Sequence, residues 1–345
     1  MAITVKIPAQ LRPATGGEGE IQVESAATVG DALDAVFAQH DGLRERITED
    51  GDLRRFVNVY VAGEDIRFQD GLETAVADGA EVTILPAVAG GSNAAGPPAR
   101  EEPVAILCGG RGTRLQEHTH AIPKALVEIG GRPILWHVLQ IYAAHGFRRF
   151  LLLCGYRGEM IAEFASRADL PEGVEIECID TGTDTPTGGR VARAAEQLSG
   201  GTFALTYADG VADVDLSAAL SFHRDHGSAA TVTLVRPRSQ WGVATIGADG
   251  SSVTGFVEKP RMERWVNGGF LFCEPQVLDY VAPDSVFEHG PLERLAGAGE
   301  LRGWSHEGFW DCMDTYKDAV VLNDLWATGS PPWRVWEDVP APTPG

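Results

Sequence analysis

The fold of most of this chain is decided by Val104-Ala105-Ile106-Leu107-Cys108-Gly109-Gly110-Arg111-Gly112-Thr113-Arg114-Leu115. The first four residues are apolar, as in a strand buried on both faces, and the next seven include three glycines and two arginines. Glycine lets backbone N–H groups approach phosphate oxygens, and arginine adds charge-assisted hydrogen bonds. The segment therefore predicts an anion-binding loop after a buried strand. It is neither a P-loop nor a dinucleotide fingerprint, because it lacks Gly-Lys-Ser/Thr and the GxGxxG spacing.

Beyond this loop, short apolar runs alternate with helical patterns. The apolar runs are Val104 to Leu107, Phe150 to Leu153, Val174 to Cys178 and Phe203 to Thr206, and the helical patterns are 133–145, 157–166, 190–198 and 215–226. Such alternation predicts an α/β domain built on a doubly wound, Rossmann-like mixed sheet that is largely parallel. Ligands of such sheets bind at the carboxyl ends of the strands.

The N-terminal quarter has a different pattern. Apolar alternation at 3–7 and 21–23 predicts two strands, Thr28 is placed to cap a short helix, and further strands are predicted at 56–61 and 82–85. Two strands, a helix and two more strands form a small α+β sheet of the ubiquitin-like β-grasp type. The sequence therefore predicts a second, smaller domain ahead of the α/β domain.

A composition break separates the two patterns. Residues 87–100 are small and rich in glycine, alanine and proline, as in a flexible linker. We therefore expect a β-grasp domain at 1–91, a linker at 92–102, the α/β domain at 103–337 and a tail at 338–345.

Composition narrows the possible functions. The chain has 345 residues, five cysteines without CxxC spacing and a net charge of −21. The cysteines predict neither a disulfide framework nor a zinc site, and the acidic balance argues against a nucleic-acid partner. No stretch approaches the ~18 consecutive apolar residues of a membrane span, so we expect no membrane partner and a cytoplasmic location.

The loop and the motifs after it resemble the sugar-1-phosphate nucleotidyltransferases, most of all the glucose-1-phosphate cytidylyltransferases. Besides the loop, the resemblance rests on Pro123-Lys124-Ala125-Leu126-Val127-Glu128-Ile129-Gly130-Gly131, Cys154-Gly155-Tyr156-Arg157-Gly158, Thr187-Gly188-Gly189-Arg190, Asp209-Gly210-Val211-Ala212-Asp213, Glu258-Lys259-Pro260, Asn267-Gly268-Gly269-Phe270 and Met313-Asp314-Thr315. It implies Mg²⁺-dependent transfer from an NTP, most of all CTP, to a sugar 1-phosphate, most of all glucose 1-phosphate. It also implies a homo-oligomer.

The resemblance implies four groups of site residues. Nucleotide contacts are expected from Leu107, Cys108, Gly109, Gly110, Arg111, Gly112, Thr113, Arg114, Lys124, Thr185, Arg190 and Ala208. Sugar-phosphate contacts are expected from Glu258, Lys259, Asn267 and Gly268. Asp209 and Asp314 are the expected Mg²⁺ ligands, and Lys124, Arg114 and Asp209 the expected catalytic residues.

Lysine usage supports two of these assignments independently. The chain has 24 arginines and only four lysines, so an ordinary surface charge would usually be an arginine. Lysine retained at Lys124 and Lys259 indicates sites that need a compact point charge rather than a planar fork.

The sequence departs from the cytidylyltransferase pattern at four positions. Cys108, Ile122, Ala125 and Ala208 stand where the pattern has alanine, lysine, proline and glycine. Ala208 matters most, because it adds a methyl group next to Asp209, where the nucleotide is expected to approach the backbone.

The N-terminal segment resembles the small ubiquitin-like sulfur carriers of the ThiS and MoaD type, most of all the carrier of actinobacterial cysteine biosynthesis. The resemblance covers residues 3–91 and is strongest at Val82-Thr83-Ile84-Leu85-Pro86-Ala87-Val88-Ala89-Gly90-Gly91. In such carriers the terminal Gly-Gly, here Gly90-Gly91, is converted to a thiocarboxylate by a sulfur-activating enzyme. Ser92 follows Gly91, so carrier chemistry would require cleavage between them. Ser92-Asn93-Ala94 also resembles a tag-removal scar, which leaves open whether the fusion is natural or engineered.

Two alternatives therefore remain on the sequence alone. One is a thymidylyl- or uridylyltransferase acting on another hexose 1-phosphate, which would share every phosphate-binding residue. The other is a sulfur carrier or interaction protein that requires cleavage after Gly91 and uses the α/β domain as a platform.

Overall fold

The computed structural model describes residues 2–8, 11–49, 52–54, 57–61, 64–66, 69–77, 79–86, 97–112 and 122–336. The chain divides into two compact units, Met1–Ala89 and Gly90–Gly345. The predicted carrier terminus, Gly90-Gly91, and the predicted tail at 338–345 lie outside the described residues.

The first unit contains a five-stranded sheet with one helix packed on it. It also contains a second helix and a separate two-stranded ribbon. Its elements are β1 (Ile3–Lys6), β2 (Glu20–Val23), α1 (Val29–Gln39), α2 (Asp41–Ile47), β3 (Thr48–Glu49), β4 (Asp52–Leu53), β5 (Val57–Val61), β6 (Glu64–Asp65) and β7 (Glu81–Pro86). The sheet order is β2-β1-β7-β5-β6, with β1 and β7 parallel and the other neighbours antiparallel. This is the predicted β-grasp arrangement.

Helix α1 begins where the sequence predicts it. The Thr28 hydroxyl accepts a hydrogen bond from the Asp31 N–H at 3.2 Å, and the Asp31 carboxylate accepts one from the Thr28 N–H at 3.0 Å. This reciprocal pair is a capping box, which satisfies two backbone donors at the start of the helix. Leu33, Val36 and Phe37 then point into the core.

The second unit is built on a seven-stranded sheet, and its remaining strands form two-stranded ribbons. Its strands are β8 (Val104–Leu107), β9 (Glu128–Ile129), β10 (Arg132–Pro133), β11 (Arg149–Cys154), β12 (Glu175–Asp180), β13 (Phe203–Tyr207), β14 (Gly210–Ala212), β15 (Ala230–Val235), β16 (Val243–Ile246), β17 (Val253–Val257), β18 (Val266–Cys273), β19 (Leu301–Ser305) and β20 (Trp310–Cys312). Its helices are α3 (Ile134–Ala144), α4 (Gly158–Ala165), α5 (Thr187–Arg193), α6 (Ala195–Leu198), α7 (Leu216–His226), α8 (Pro291–Gly297) and α9 (Tyr316–Ala327).

The sheet order in this unit is β12-β11-β8-β13-β18-β15-β19. Strands β12, β11, β8 and β13 are mutually parallel, whereas β18 is antiparallel to both of its neighbours. The prediction of a doubly wound mixed α/β sheet is therefore confirmed. Smaller two-stranded ribbons, β9–β10, β14–β20 and β16–β17, stand outside this sheet.

One helical prediction differs from the structure. The pattern indicated a helix at 190–198, but α5 begins at Thr187 and a break at Ala194 separates it from α6. Gly188 and Gly189 weaken the helical pattern because glycine disfavours helices. Here they serve close packing: a Cβ at Gly188 would lie 2.3 Å from Ser285 Oγ, and one at Gly189 would lie 2.2 Å from the Pro283 carbonyl oxygen.

Residues 97–102, which the sequence assigns to the linker, pack on the second unit. The Arg100 N–H donates to the Gly146 carbonyl at 2.8 Å. The Arg100 side chain donates to the His145 carbonyl at 2.7 Å and to the Ser217 hydroxyl at 2.9 Å. Glu102 is buried and pairs with Arg224. Residues 97–102 therefore belong structurally to the second unit.

Across the described ranges, we find no helix with the length and apolarity that crossing a membrane would require.

Candidate active site

A cavity of about 350 Å³ opens where strands β8 and β13 end. It is lined by Leu107, Cys108, Gly109, Gly110, Gly112, Lys124, Ala125, Thr185, Pro186, Thr187, Arg190, Tyr207, Ala208, Asp209 and Asp314. The carboxyl ends of parallel strands are where open α/β sheets bind ligands. The structure thus brings together most residues that the sequence assigns to the nucleotide and the metal.

The two predicted metal carboxylates converge on Lys124. Its ammonium nitrogen donates to Asp209 Oδ2 at 2.6 Å and to Asp314 Oδ1 at 2.7 Å. These three residues come from parts of the chain 85 and 190 positions apart. They form one compact charged group at the edge of the cavity.

Strand register explains this convergence. Asp209 stands between β13 and β14, and Asp314 follows β20. Strands β14 and β20 pair antiparallel with Gly210 opposite Cys312, and the Met313 N–H donates to the Asp209 carbonyl at 2.9 Å. This ribbon fixes both carboxylates next to the single turn of 3₁₀ helix that begins at Lys124.

The charge state of Lys124 follows from its surroundings. Burial alone would favour the neutral amine, but the charges of Asp209 and Asp314 and their hydrogen bonds outweigh it and raise the pKa of Lys124. The residue is therefore a fixed cation at neutral pH, suited to a negatively charged ligand.

Arg190 is a buried guanidinium that holds three loops together. It donates to the Cys154 carbonyl at 3.0 Å, to the Thr181 hydroxyl at 2.6 Å, and to the carbonyls of Gly182 and Gly109 at 2.9 Å each. Gly109 follows β8, Cys154 ends β11, and Thr181 and Gly182 follow β12. Arg190 lines the cavity, as expected of a nucleotide contact, but its hydrogen bonds here go to the protein itself.

Two glycines make room for this guanidinium. A Cβ at Gly109 would lie 2.1 Å from Arg190 Nη1, and one at Gly155 would lie 2.3 Å from the same atom. Both distances are far below van der Waals contact. Glycine is needed at these two positions for space.

Of three predicted phosphate contacts, the one within the described residues, Arg111, is not part of the cavity lining. Arg111 donates to Asp184 at 2.8 Å and lies over the Tyr156 ring, with its side chain half exposed. Thr113 and Arg114 lie outside the described residues.

The predicted sugar-phosphate residues also stand apart from the lining. Glu258 and Lys259 follow β17 and are exposed, with 3.9 Å between their charged atoms. Asn267 is exposed, while Gly268 is buried, and its carbonyl accepts from the Trp310 indole at 2.7 Å. Asn267 Oδ1 nevertheless accepts from the Gly269 N–H at 2.8 Å, and Gly269 lies against the ring of Tyr207, which lines the cavity.

Sequence reasoning missed Tyr207, Thr187 and Pro186 as lining residues. Tyr207 directly precedes Ala208 and ends strand β13, and Thr187 opens α5 just before the two glycines. Position at the end of a parallel strand or the start of a helix was the available signal. The departures Cys108, Ala125 and Ala208 are buried and line the cavity, while Ile122 does not.

Metal binding would rest on few protein ligands. Within the described ranges there is no group of three or more His, Cys, Asp or Glu side chains that could hold a metal. Asp209 and Asp314 supply two carboxylates whose oxygens already face one cation. Mg²⁺ prefers such oxygen donors and commonly completes its shell with water and substrate phosphates.

Comparison with known families agrees with this site. The family model described as nucleotidyl transferase matches residues 104–294, and that of the ThiS family matches residues 5–91. The first match covers more than half of the chain, so the protein belongs to the nucleotidyl transferase family and is a nucleotidyltransferase. A ThiS domain is fused ahead of it.

Individual relatives narrow the family further. The glucose-1-phosphate cytidylyltransferase of Salmonella typhimurium is 41% identical over 255 residues, which are 67% of this chain and 98% of that protein. The chain is therefore a homologue of the glucose-1-phosphate cytidylyltransferases. Mannose-1-phosphate guanylyltransferase 1 of Arabidopsis thaliana is 31% identical over 225 residues, 63% of this chain and 62% of that protein.

Solved structures show the same fold. The crystal structure of HddC from Yersinia pseudotuberculosis matches with a TM-score of 0.52 at 21% identity, covering 65% of this chain and 99% of its own. At that identity the likeness concerns the fold alone.

Proposed function

We propose that this protein transfers a cytidylyl group from CTP to glucose 1-phosphate, forming CDP-glucose and pyrophosphate. The observation that carries the proposal is the meeting of Lys124, Asp209 and Asp314 beside the Gly109-Gly110 loop. The Salmonella relative, named for this activity, is matched over nearly its whole length at 41% identity.

The reaction requires positioning more than proton transfer. An oxygen of the sugar 1-phosphate attacks the α-phosphorus of CTP, and the bond to the departing pyrophosphate breaks. Because the nucleophile is already anionic, no general base is needed. The protein has to align two polyanions and offset their charge. Lys124, a cation held at the cavity edge, is the described residue best placed to offset it.

Asp209 and Asp314 are the residues that would hold Mg²⁺. The chemistry of this donor set fits, because two carboxylates present oxygens to one point that a cation, the Lys124 ammonium, already occupies. When bound, the ion would supply neutralisation of phosphate charge.

Other contacts are assigned by the resemblance. Arg111, Thr113 and Arg114 would hold the β- and γ-phosphates, and Lys259 with Glu258 would bind the sugar phosphate. Arg111 can be recruited at little cost, since its ion pair with Asp184 is exposed. Such pairs contribute at most about 1 kcal/mol.

The test is pyrophosphate release with each NTP and a panel of sugar 1-phosphates. We expect CTP with glucose 1-phosphate to give a kcat/KM at least about tenfold above any other pair, a barrier difference of about 1.4 kcal/mol. A preference for UTP or dTTP would instead favour the thymidylyl- or uridylyltransferase alternative. No release with any pair would refute nucleotidyl transfer to these substrates.

A second candidate function concerns the first unit. The ThiS family match ends at Gly91, the position where carrier chemistry would need a free carboxylate. We propose that residues 1–91 act as a sulfur carrier after cleavage behind Gly91, with a sulfur-activating enzyme as partner. Intact-mass analysis from the native host should then find a fragment ending at Gly91. A chain found only at full length would exclude carrier function in that host.

A further inference from the structure

Glu288 is a carboxylate behind the cavity wall that no motif points to. It stands in the loop between β18 and α8 and does not line the cavity itself. Both of its oxygens accept hydrogen bonds from the hydroxyl groups of residues that do line it. The Tyr207 phenol donates to Oε1, and the Thr187 hydroxyl donates to Oε2 at 2.7 Å.

The Tyr207 proton is committed to this bond. A phenol is protonated at neutral pH and has a single proton to donate. Because Glu288 takes that proton, the phenol oxygen can only accept hydrogen bonds from other groups.

The surroundings of Tyr207 keep its ring in place. A Cβ at Gly269 would lie 2.7 Å from Tyr207 Cδ2, and Gly269 also has a positive φ of 82° that favours glycine. Asn267 Oδ1 accepts from the Gly269 N–H at 2.8 Å.

The Thr187 hydroxyl is fixed in the same way. While its proton goes to Glu288, its oxygen accepts from the Phe287 N–H at 2.8 Å. Phe287 is fully buried, so this part of the loop is anchored in the core. A hydroxyl has one proton and two lone pairs, so one lone pair of Thr187 remains for a ligand.

We propose that Glu288 is a positioning residue that makes Tyr207 and Thr187 act only as hydrogen-bond acceptors toward the cavity, so that this wall selects a substrate with a donor group there. The inference deepens the proposed function and rests on it for the choice of substrates. Two donor groups have the required chemistry: the exocyclic amino group of cytosine and a hydroxyl of the hexose. UTP carries a carbonyl in place of that amino group, so the lone pairs of its oxygen would face the lone pairs of the wall hydroxyls.

The variant Glu288→Gln gives a clear directional test. Glutamine replaces one acceptor oxygen with a donating NH₂ group, so at least one wall hydroxyl loses its acceptor and can turn its proton to the cavity. Removing a negative charge near two anionic substrates would by itself tighten their binding. A loss of binding would therefore come from the hydrogen-bond pattern, since charge acts in the opposite direction.

We would measure kcat and KM by pyrophosphate release, and binding of CTP and of glucose 1-phosphate by calorimetry. UTP and the monodeoxy analogues of glucose 1-phosphate serve as the substrates that lack each donor. We expect Glu288→Gln to raise KM for one of the two substrates about tenfold while kcat changes less than about threefold. The ratio of kcat/KM between that substrate and the analogue that lacks its donor group should fall by a similar factor. A change in discrimination against UTP would show that the wall binds the cytosine amino group. A change in discrimination against a deoxy sugar would show that it binds a hexose hydroxyl.

Two controls complete the experiment. Glu172→Gln, at an exposed glutamate outside the cavity lining, should change none of these values. In a Tyr207→Phe, Thr187→Val background, Glu288→Gln should have less than about a twofold effect, because the hydroxyls through which it acts are gone. Unchanged or lower KM values with unchanged discrimination in Glu288→Gln would overturn the proposal. A wild-type protein that binds both ligands without turnover would sink only the proposed function, and changes in binding would still decide the role of Glu288.

Discussion

The phosphate end of the cavity and the segment that carries Glu258 and Lys259 differ in how tightly their charged side chains are held. The Lys124 side chain is 17% exposed and held by carboxylates at 2.6 and 2.7 Å. The Lys259 side chain is 48% exposed, and its ion pair measures 3.9 Å. The first arrangement is preorganised, while the second still has side chains to order.

The difference extends to the supporting strands. The β14–β20 ribbon that positions Asp209 and Asp314 is buried or half-buried. The β16–β17 hairpin that precedes Glu258 forms a separate two-stranded sheet with exposed apolar residues. Trp241, just ahead of the hairpin, is 74% exposed. Preorganised groups stabilise a transition state without an ordering penalty at that moment. We therefore expect the phosphate end to govern turnover and the other segment to govern sugar affinity.

The largest effect should come from the carboxylates. Asp209→Asn and Asp314→Asn each remove a charge that would hold Mg²⁺, and we expect kcat to fall by at least about a hundredfold, or about 3 kcal/mol in the barrier. Steady-state pyrophosphate release measures this, with circular dichroism as the check on folding. Near wild-type turnover in either folded variant would refute the assignment of that residue.

Replacing Lys124 by arginine should be nearly as harmful. A planar guanidinium cannot occupy the point between two carboxylates as an ammonium does, so we expect more than a tenfold loss of kcat. Lys317→Arg, at a lysine on α9 outside the cavity lining, is the matched control. If Lys124→Arg kept more than about a tenth of the activity, the compact charge would not be what the site requires.

A smaller and more selective effect is expected at Lys259. Lys259→Ala should raise KM for glucose 1-phosphate about tenfold, because the exposed segment has to engage the sugar phosphate. The dissociation constant for CTP, measured by calorimetry without sugar phosphate, should stay within about twofold. Equal losses for both substrates would erase the proposed difference between the two ends.

The last prediction concerns stability rather than turnover, in the core that supports the preorganised end. His137 is buried on α3, hydrogen-bonded to the Ile129 carbonyl at 2.9 Å and to the Trp333 indole at 3.3 Å. A carbonyl can only accept and an indole N–H can only donate, so the neutral ring with its proton on Nε2 fits both partners. Burial lowers the pKa of His137 from 6.5 to about 4.

The sign of the pH dependence follows from that shift. Between about pH 6.5 and 4 the unfolded chain binds a proton at this site that the folded protein does not. The stabilising contribution is therefore present above pH 6.5 and is lost as pH falls toward 4, by up to about 3 kcal/mol. Urea unfolding at several pH values should show a shallower acid loss in His137→Phe than in wild type. His289→Phe, at an exposed histidine, should keep the wild-type slope.

Local sequence predicted the secondary-structure elements better than it predicted which residues come together in the fold. The apolar run before the glycine loop and the Thr28 cap are local signals, and the structure confirms both. The meeting of Asp209 with Asp314 depends on a ribbon between strands about 100 residues apart, so only the family resemblance could anticipate it. Glu288 gave no signal at all, because its role depends on two hydroxyls from other parts of the chain.

Other differences have equally physical causes. The sequence assigns Arg111 to phosphate as part of the glycine loop, yet in the structure it pairs with Asp184, 73 positions away. Composition places Arg100 in a linker, but its hydrogen bonds go to residues 145, 146 and 217. Composition describes the chain locally and does not register such distant acceptors.

The buried guanidinium of Arg190 also constrains how this sequence can change over generations. Gly109 and Gly155 are small because that group fills the space where their side chains would be. Alanine at either position should be harmful while Arg190 is present and far better tolerated once a smaller residue replaces it. Genetic selection should therefore recover changes at position 190 as suppressors of alanine at 109 or 155. Positions 109, 155 and 190 would therefore change together in evolution, because each restricts which residues the other two tolerate.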